Sequence, residues 1–230
     1  MRSIKKTARI AGLLYLVIVF CGFFYLRYVP MKLIVPDNLS ATIGNIRNSE
    51  TLFRLSILVE IISDLFFLLL SLTLYKLFKT VDKACSLLMV IFVAVSIIVS
   101  FIDLQNKLAV LTLINKAANS KMFTPDNLKA QVSLYLDFYK NGILIGEIFW
   151  GLWLFPLGYL ILKSGFLPKV LGVLLMAGCF GYLIDFIGSF LFPHYNETII
   201  SGYITFPASI GELCLCLWLL IFGVKTKEAQ

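Results

Sequence analysis

Six stretches of the chain, at about 10–29, 53–78, 84–106, 142–162, 169–192 and 203–224, are apolar over some twenty residues or more. About 20 helical residues cross the hydrocarbon core of a bilayer, so each stretch is a candidate span. Within lipid the backbone must satisfy its own hydrogen bonds, which leaves helices or a closed barrel. The runs are rich in Leu, Ile, Phe, Gly and Ala and lack the period-two alternation of barrel strands. The expected fold is all-α: a polytopic membrane protein, one domain over 1–230, with six transmembrane helices arranged as three out-and-back hairpins. Composition agrees, since 60 % of residues are hydrophobic and 14 % charged, a balance no soluble domain of this length could keep in water.

The first run follows Arg2, Lys5, Lys6 and Arg9 as a secretory leader would, but no small-x-small cleavage site follows and the apolar stretch continues past Cys21. It reads as the first span. Cys21, Cys85, Cys179, Cys214 and Cys216 all fall in or beside apolar runs without a Cys-x-x-Cys spacing, so they read as packing residues rather than disulfides or zinc ligands. Eleven of the 20 Lys and Arg gather at the N-terminus, in the 76–83 and 163–169 turns and in the tail, with only Asp82 and Glu228 as acids on that side. By the positive-inside rule that side is cytoplasmic and holds both termini. The net charge of +7 belongs to membrane edges and calls for no nucleic acid; the bilayer itself is the first partner.

Local signals punctuate the spans. "PDNL" occurs at 36–39 and at 125–128, and Pro followed by Asp or Asn starts helices by capping free N–H groups. Short outside helices are therefore expected at about 38–49 and 126–140, and the repeated tetrapeptide raises the question of an internal repeat. Pro156 should kink the fourth span. "KSGFLPKVLG" (163–172) places a Gly after one helix and a Pro at the start of the next, as in an αα-hairpin.

The segments "ARIAGLLYL", "SETLFRLSILVEIISDLFFLLLSLTLYKLFK" and "GEIFWGLWLFPLGYLILKSGFLPKVLGVLLMAGCFGYLID" resemble the bacterial integral membrane family known as domain of unknown function 4386 over nearly the whole chain. The resemblance is most specific at the "FWGLWLFPLGYLI" run and the turn after it. It implies a multi-helix bacterial inner-membrane protein and brings no activity with it.

The chemistry must reside in the few ionisable residues inside apolar runs: Glu60, Asp64, Glu147, Asp185 and Glu212, with Asp103 closing the third run. Glu60 and Asp64 are four residues apart and share one helix face. At 1.5 Å per residue all six lie in the outer half of the bilayer, Glu60 and Asp64 at a depth of roughly 10–17 Å. Lipid exposure of such groups costs several kcal/mol, so they should face the bundle interior. The neighbouring counter-charges are Arg54, Lys107 (four residues after Asp103) and Lys140, and six acids against three bases leave an excess of acid. Crowded carboxylates need a proton or a cation. The expected site is thus an outward-opening acidic cavity for a cation or a small basic or polar ligand, as in a transporter. A structural or sensory subunit whose acids are packing pairs is the alternative.

Enzyme signatures mostly fail. The single His, His194, lies in a loop, which rules out a two-His zinc site, and no haem or nucleotide motif is present. A hard cation (Mg²⁺, Mn²⁺ or Ca²⁺) held by Glu60, Asp64 and Asp185 is the one enzymatic arrangement the residues allow, as a third reading. The orientation is directly testable: reporter fusions in the 79–83 turn should behave as cytoplasmic and those in 193–201 as external. Labelling of the 79–83 turn from outside intact cells would reverse the map.

Overall fold

The computed structural model describes residues 2–119 and 123–224; Lys225, Lys227 and Glu228 of the basic tail lie outside these. Helices follow one another as α1 (Arg2–Gly22), a π-helical turn (Phe23–Tyr28), α2 (Val29–Leu33), α3 (Leu39–Asn48), α4 (Glu50–Phe78), α5 (Lys83–Asn119), α6 (Pro125–Leu152), α7 (Leu154–Ser164), α8 (Lys169–Leu191), α9 (Ile199–Tyr203) and α10 (Phe206–Ile221). A 3₁₀ turn, Tyr195–Glu197, precedes α9. Among the described residues, six helical segments are long and apolar enough to cross a membrane: Ile4–Leu33, Glu50–Phe78, Lys83–Ala117, Pro125–Ser164, Lys169–Leu191 and Ile199–Ile221. Large apolar side chains such as Phe20, Ile102, Val170 and Phe190 are exposed, as a lipid-facing surface requires.

Several boundaries depart from expectation for identifiable reasons. The second "PDNL" does not open a separate surface helix, because α6 runs unbroken from Pro125 to Leu152 and Gly142 alone does not stop it. The two tetrapeptides also differ in role. At 36–39, Asp37 adopts a left-handed φ of 57° and Asn38 caps α3 by accepting the Ala41 N–H at 3.0 Å. At 125–128, Pro125 is already the first helical residue and Thr124 is the cap, accepting the Asn127 N–H at 3.3 Å. Identical residues in different backbone states do not make a structural repeat. α5 extends beyond the expected end at 106 to Asn119, carrying Lys107 well inside a helix.

Proline shapes two spans. Pro30 lacks the N–H that would reach back to residue 26; the chain just before it widens into the π turn, where the Val29 N–H bonds the carbonyl of Phe24, five residues earlier. Pro156 likewise interrupts its span, and the break falls at Trp153, between α6 and α7. The expected hairpin turn is present: Gly165 takes a left-handed φ of 70° after α7, and Pro168 is the residue before α8.

The chain divides into two compact units, one made of residues 1–18, 65–97 and 144–230, the other of 19–64 and 98–143. In the first, α7 and α8 pack with Gly158 and Gly172 in contact; a Cβ on Gly158 would stand 2.6 Å from the Gly172 carbonyl oxygen. Trp153, 1 % exposed, anchors this unit against Phe67 in an edge-on contact at 4.9 Å and against Tyr15 at 6.1 Å. Asp82 caps α5 by accepting the Cys85 N–H and also meets Lys163 at 3.1 Å; these two contacts hold its carboxyl below the usual aspartate range. In the second unit, Val29, Leu33, Ile46, Phe53, Leu104 and Ile114 form the centre of an apolar core.

Candidate functional site

In the unit of residues 19–64 and 98–143, α4 presents Glu60 and α5 presents Lys107, and their side chains meet at 2.7 Å while only 5 % and 6 % exposed. The Tyr139 hydroxyl, from α6, donates to the same carboxylate at 3.0 Å. The ammonium also lies 4.2 Å from the centre of the Tyr139 ring and 5.7 Å from that of Tyr25. Tyr25 sits in the π turn. A lysine is thus enclosed by one carboxylate and two aromatic faces, a setting in which cation–π attraction gains from desolvation. The charge that Glu60 needs comes from within the chain.

The remaining acids of this unit are satisfied by short polar neighbours. Ser100 donates to Asp64 at 2.7 Å and Asn106 to Asp103 at 2.9 Å. The Asp103 carboxylate occupies the space over Gly142, where any Cβ would overlap it. Glu60 is close enough to both Asp64 and Asp103 to interact electrostatically. Two assignments of counter-charge change. Lys107 hydrogen-bonds Glu60 and not Asp103, although Asp103 is on its own helix one turn away. Arg54 serves Glu50, at 2.6 Å in an exposed pair on one helix, and Asn115 adds a second contact to Glu50 at 3.2 Å. Lys140 is exposed and lines a cavity mouth.

That cavity, about 310 Å³, is lined by Tyr25, Val29, Pro30, Leu33, Ile34, Phe53, Ser56, Lys107, Leu136, Asp137, Tyr139, Lys140 and Ile143. Its volume falls at the lower end of the range for small-molecule pockets. Most of the wall is apolar; Tyr25, Ser56, Lys107 and Tyr139 are the lining residues that also bear polar groups, and Asp137 and Lys140 are exposed at the edge.

Glu147, Asp185 and Glu212 belong to the other unit, so the six predicted acids fall into two sets of three. Glu212 accepts a hydrogen bond from Tyr15 at 2.8 Å. Glu147 and Asp185 interact electrostatically, yet Glu147 Oε2 and Asp185 Oδ1 are buried with no hydrogen-bond partner among the described residues. The Tyr195 hydroxyl approaches Asp185 without reaching hydrogen-bond geometry, and burial together with the Asp185 carboxylate pushes its pKa up to about 12. Among the described residues no group of three or more His, Cys, Asp or Glu is placed to hold a metal ion. His194 meets Glu197 at 3.3 Å on the surface.

These features define a multi-pass, all-α membrane protein with a buried ion pair beside an apolar cavity. The chain belongs to the family described as domain of unknown function (DUF4386), whose model matches residues 10–223. Over 84 residues, 36 % of this chain, it is 42 % identical to an uncharacterised protein of Archaeoglobus fulgidus. The match takes in 48 % of that protein, so the chain spans about half the length of its curated relative. No solved structure matches.

Breaking a buried pair strands a charge, which costs about 3–5 kcal/mol, whereas removing both charges together restores most of the loss. Lys107→Met should therefore lower thermal stability in detergent sharply, and adding Glu60→Gln should recover much of it, because Gln still accepts from Tyr139. Arg54→Gln, in an exposed and solvent-screened pair, should leave the melting temperature close to that of the parent. A loss in the double variant equal to the sum of the two single-variant losses would show that Glu60 and Lys107 are not coupled.

Proposed function

We propose that the protein binds a small, largely apolar ligand in the cavity beside the Glu60–Lys107 pair, and that it does so in the plasma (inner) membrane with both termini cytoplasmic. The carrying observation is the cavity itself: apolar walls ending on a lysine whose charge is already balanced. A wholly structural ion pair would be best stabilised by dense packing on every side, yet Lys107 and Tyr139 both border open volume. The distribution of Lys and Arg over the short connections supports the orientation.

A specific observation favours cation or proton binding in the other unit as a second reading. Buried carboxylate oxygens are expected to be bonded, and Glu147 Oε2 and Asp185 Oδ1 have no such partner. Two carboxylates and a nearby tyrosine hydroxyl suit a proton or a monovalent cation better than a hard divalent ion, which takes six or more oxygen ligands.

Native mass spectrometry of protein extracted from its own membrane tests the first reading. The parent should carry one small molecule per chain that Ile143→Trp, which fills the cavity, does not retain; equal spectra for the two would overturn it. The second reading is checked by thermal unfolding in Na⁺, K⁺ and an organic monovalent salt. A cation-dependent rise in Tm, lost in Glu147→Gln and Asp185→Asn, is expected because a ligand held only by the folded state stabilises it. Identical Tm values across the salts and across pH would remove it.

A further inference from the structure

We propose that the cavity takes an uncharged single-chain amphiphile, such as a long-chain alcohol, amide or ketone, with its polar group on Lys107. This rests on the reading of the cavity as a ligand site and adds the chemical class of the ligand. The walls select the body of the molecule. Val29, Leu33, Ile34, Phe53, Leu136 and Ile143 offer contact to methylenes and nothing to a polar chain.

The polar end selects the head group by charge. Glu60 neutralises Lys107 at 2.7 Å, so a ligand meets a dipole and not a free cation. An entering carboxylate or phosphate would add a negative charge beside Glu60, which already interacts with Asp64 and Asp103. An entering ammonium would meet Lys107 at close range. In a low-dielectric setting either charge must be desolvated without a counter-ion, the arrangement that costs most. Asp137 and Lys140, one of each sign at the exposed edge, give no net bias.

A neutral oxygen, by contrast, finds complementary atoms. The Lys107 ammonium has three N–H donors; one goes to Glu60, and the Tyr139 and Tyr25 ring faces accept in part of the remaining space. A carbonyl or hydroxyl oxygen reaching Lys107 from the cavity accepts a charge-assisted hydrogen bond, stronger than one between neutral groups. Ser56 is buried, and its hydroxyl is spent on the Phe53 carbonyl at 2.7 Å, so Lys107 is the point at which the head group is read.

The test compares head groups on one chain. The protein, in nanodiscs of uncharged lipid, is photolabelled with decanol bearing a mid-chain diazirine, and labelled peptides are identified by mass spectrometry. Unlabelled decanol, decanoate and decylammonium compete at matched concentrations in the bilayer. Labelling should fall on the peptides carrying Leu33, Phe53, Leu136 and Ile143, and decanol should compete about tenfold better than either charged analogue. Ile143→Trp should abolish labelling there. Decanoate or decylammonium competing as well as decanol would overturn the proposed class while leaving the ligand cavity intact. Labelling of those peptides no greater in the parent than in Ile143→Trp would overturn both. The ranking in the parent protein decides the matter even where Lys107→Met fails to fold; where Glu60→Gln with Lys107→Met folds, decanol should lose its advantage.

Discussion

A full charge pair held out of water, Glu60 against Lys107, is the constraint to which the surrounding residues answer. Its Coulomb gain does little more than offset the desolvation of two ions, so its main effect is on geometry. For Lys107 to reach Glu60, α4 and α5 must sit in one register, since a shift of a single residue would turn either group away by about 100°. Tyr139 adds α6 to the same arrangement through its hydroxyl and its ring. Cavity, aromatic faces and polar end all follow from that alignment.

The two units treat their acids differently. In the unit of 19–64 and 98–143, each acid within the apolar runs has a named partner: Lys107 and Tyr139 for Glu60, Ser100 for Asp64, Asn106 for Asp103. Gly142 completes the set by leaving room where a side chain would have displaced the Asp103 carboxylate. In the other unit Glu212 is satisfied by Tyr15, while Glu147 and Asp185 retain bare oxygens. Satisfaction in one unit and its lack in the other is the ground on which a neutral ligand is proposed for the first set and a proton or cation for the second.

Much of the architecture was legible from hydropathy alone, because twenty-residue apolar runs admit few alternatives to a membrane helix. The Gly165 and Pro168 turn and the Asn38 cap were readable too, since each rests on the chemistry of one or two residues. Partnerships between helices were not. Spacing within a helix suggested Asp103 for Lys107, but a long lysine side chain follows tertiary packing and reached Glu60, 47 residues away. Tyr25 and Tyr139 escaped notice because aromatic residues in membrane proteins are so often interfacial. One signal was available for Tyr25: Pro30, five residues on in an apolar run, announces disturbed helix geometry. The division of the acids between two units depends on packing and leaves no trace in local periodicity.

The π turn has a consequence for ancestry. A π turn closes its hydrogen bonds five residues back where the α-helix closes them four back, so it accommodates one residue more than the helix it interrupts. A family member with one residue fewer between Gly22 and Pro30 could keep both flanking helices intact, yet would present a different side chain to Lys107. Where gaps fall in "FFYLRY" therefore carries chemical meaning: a single deletion there separates chains whose lysine meets two tyrosine rings from chains in which Tyr139 alone remains over it.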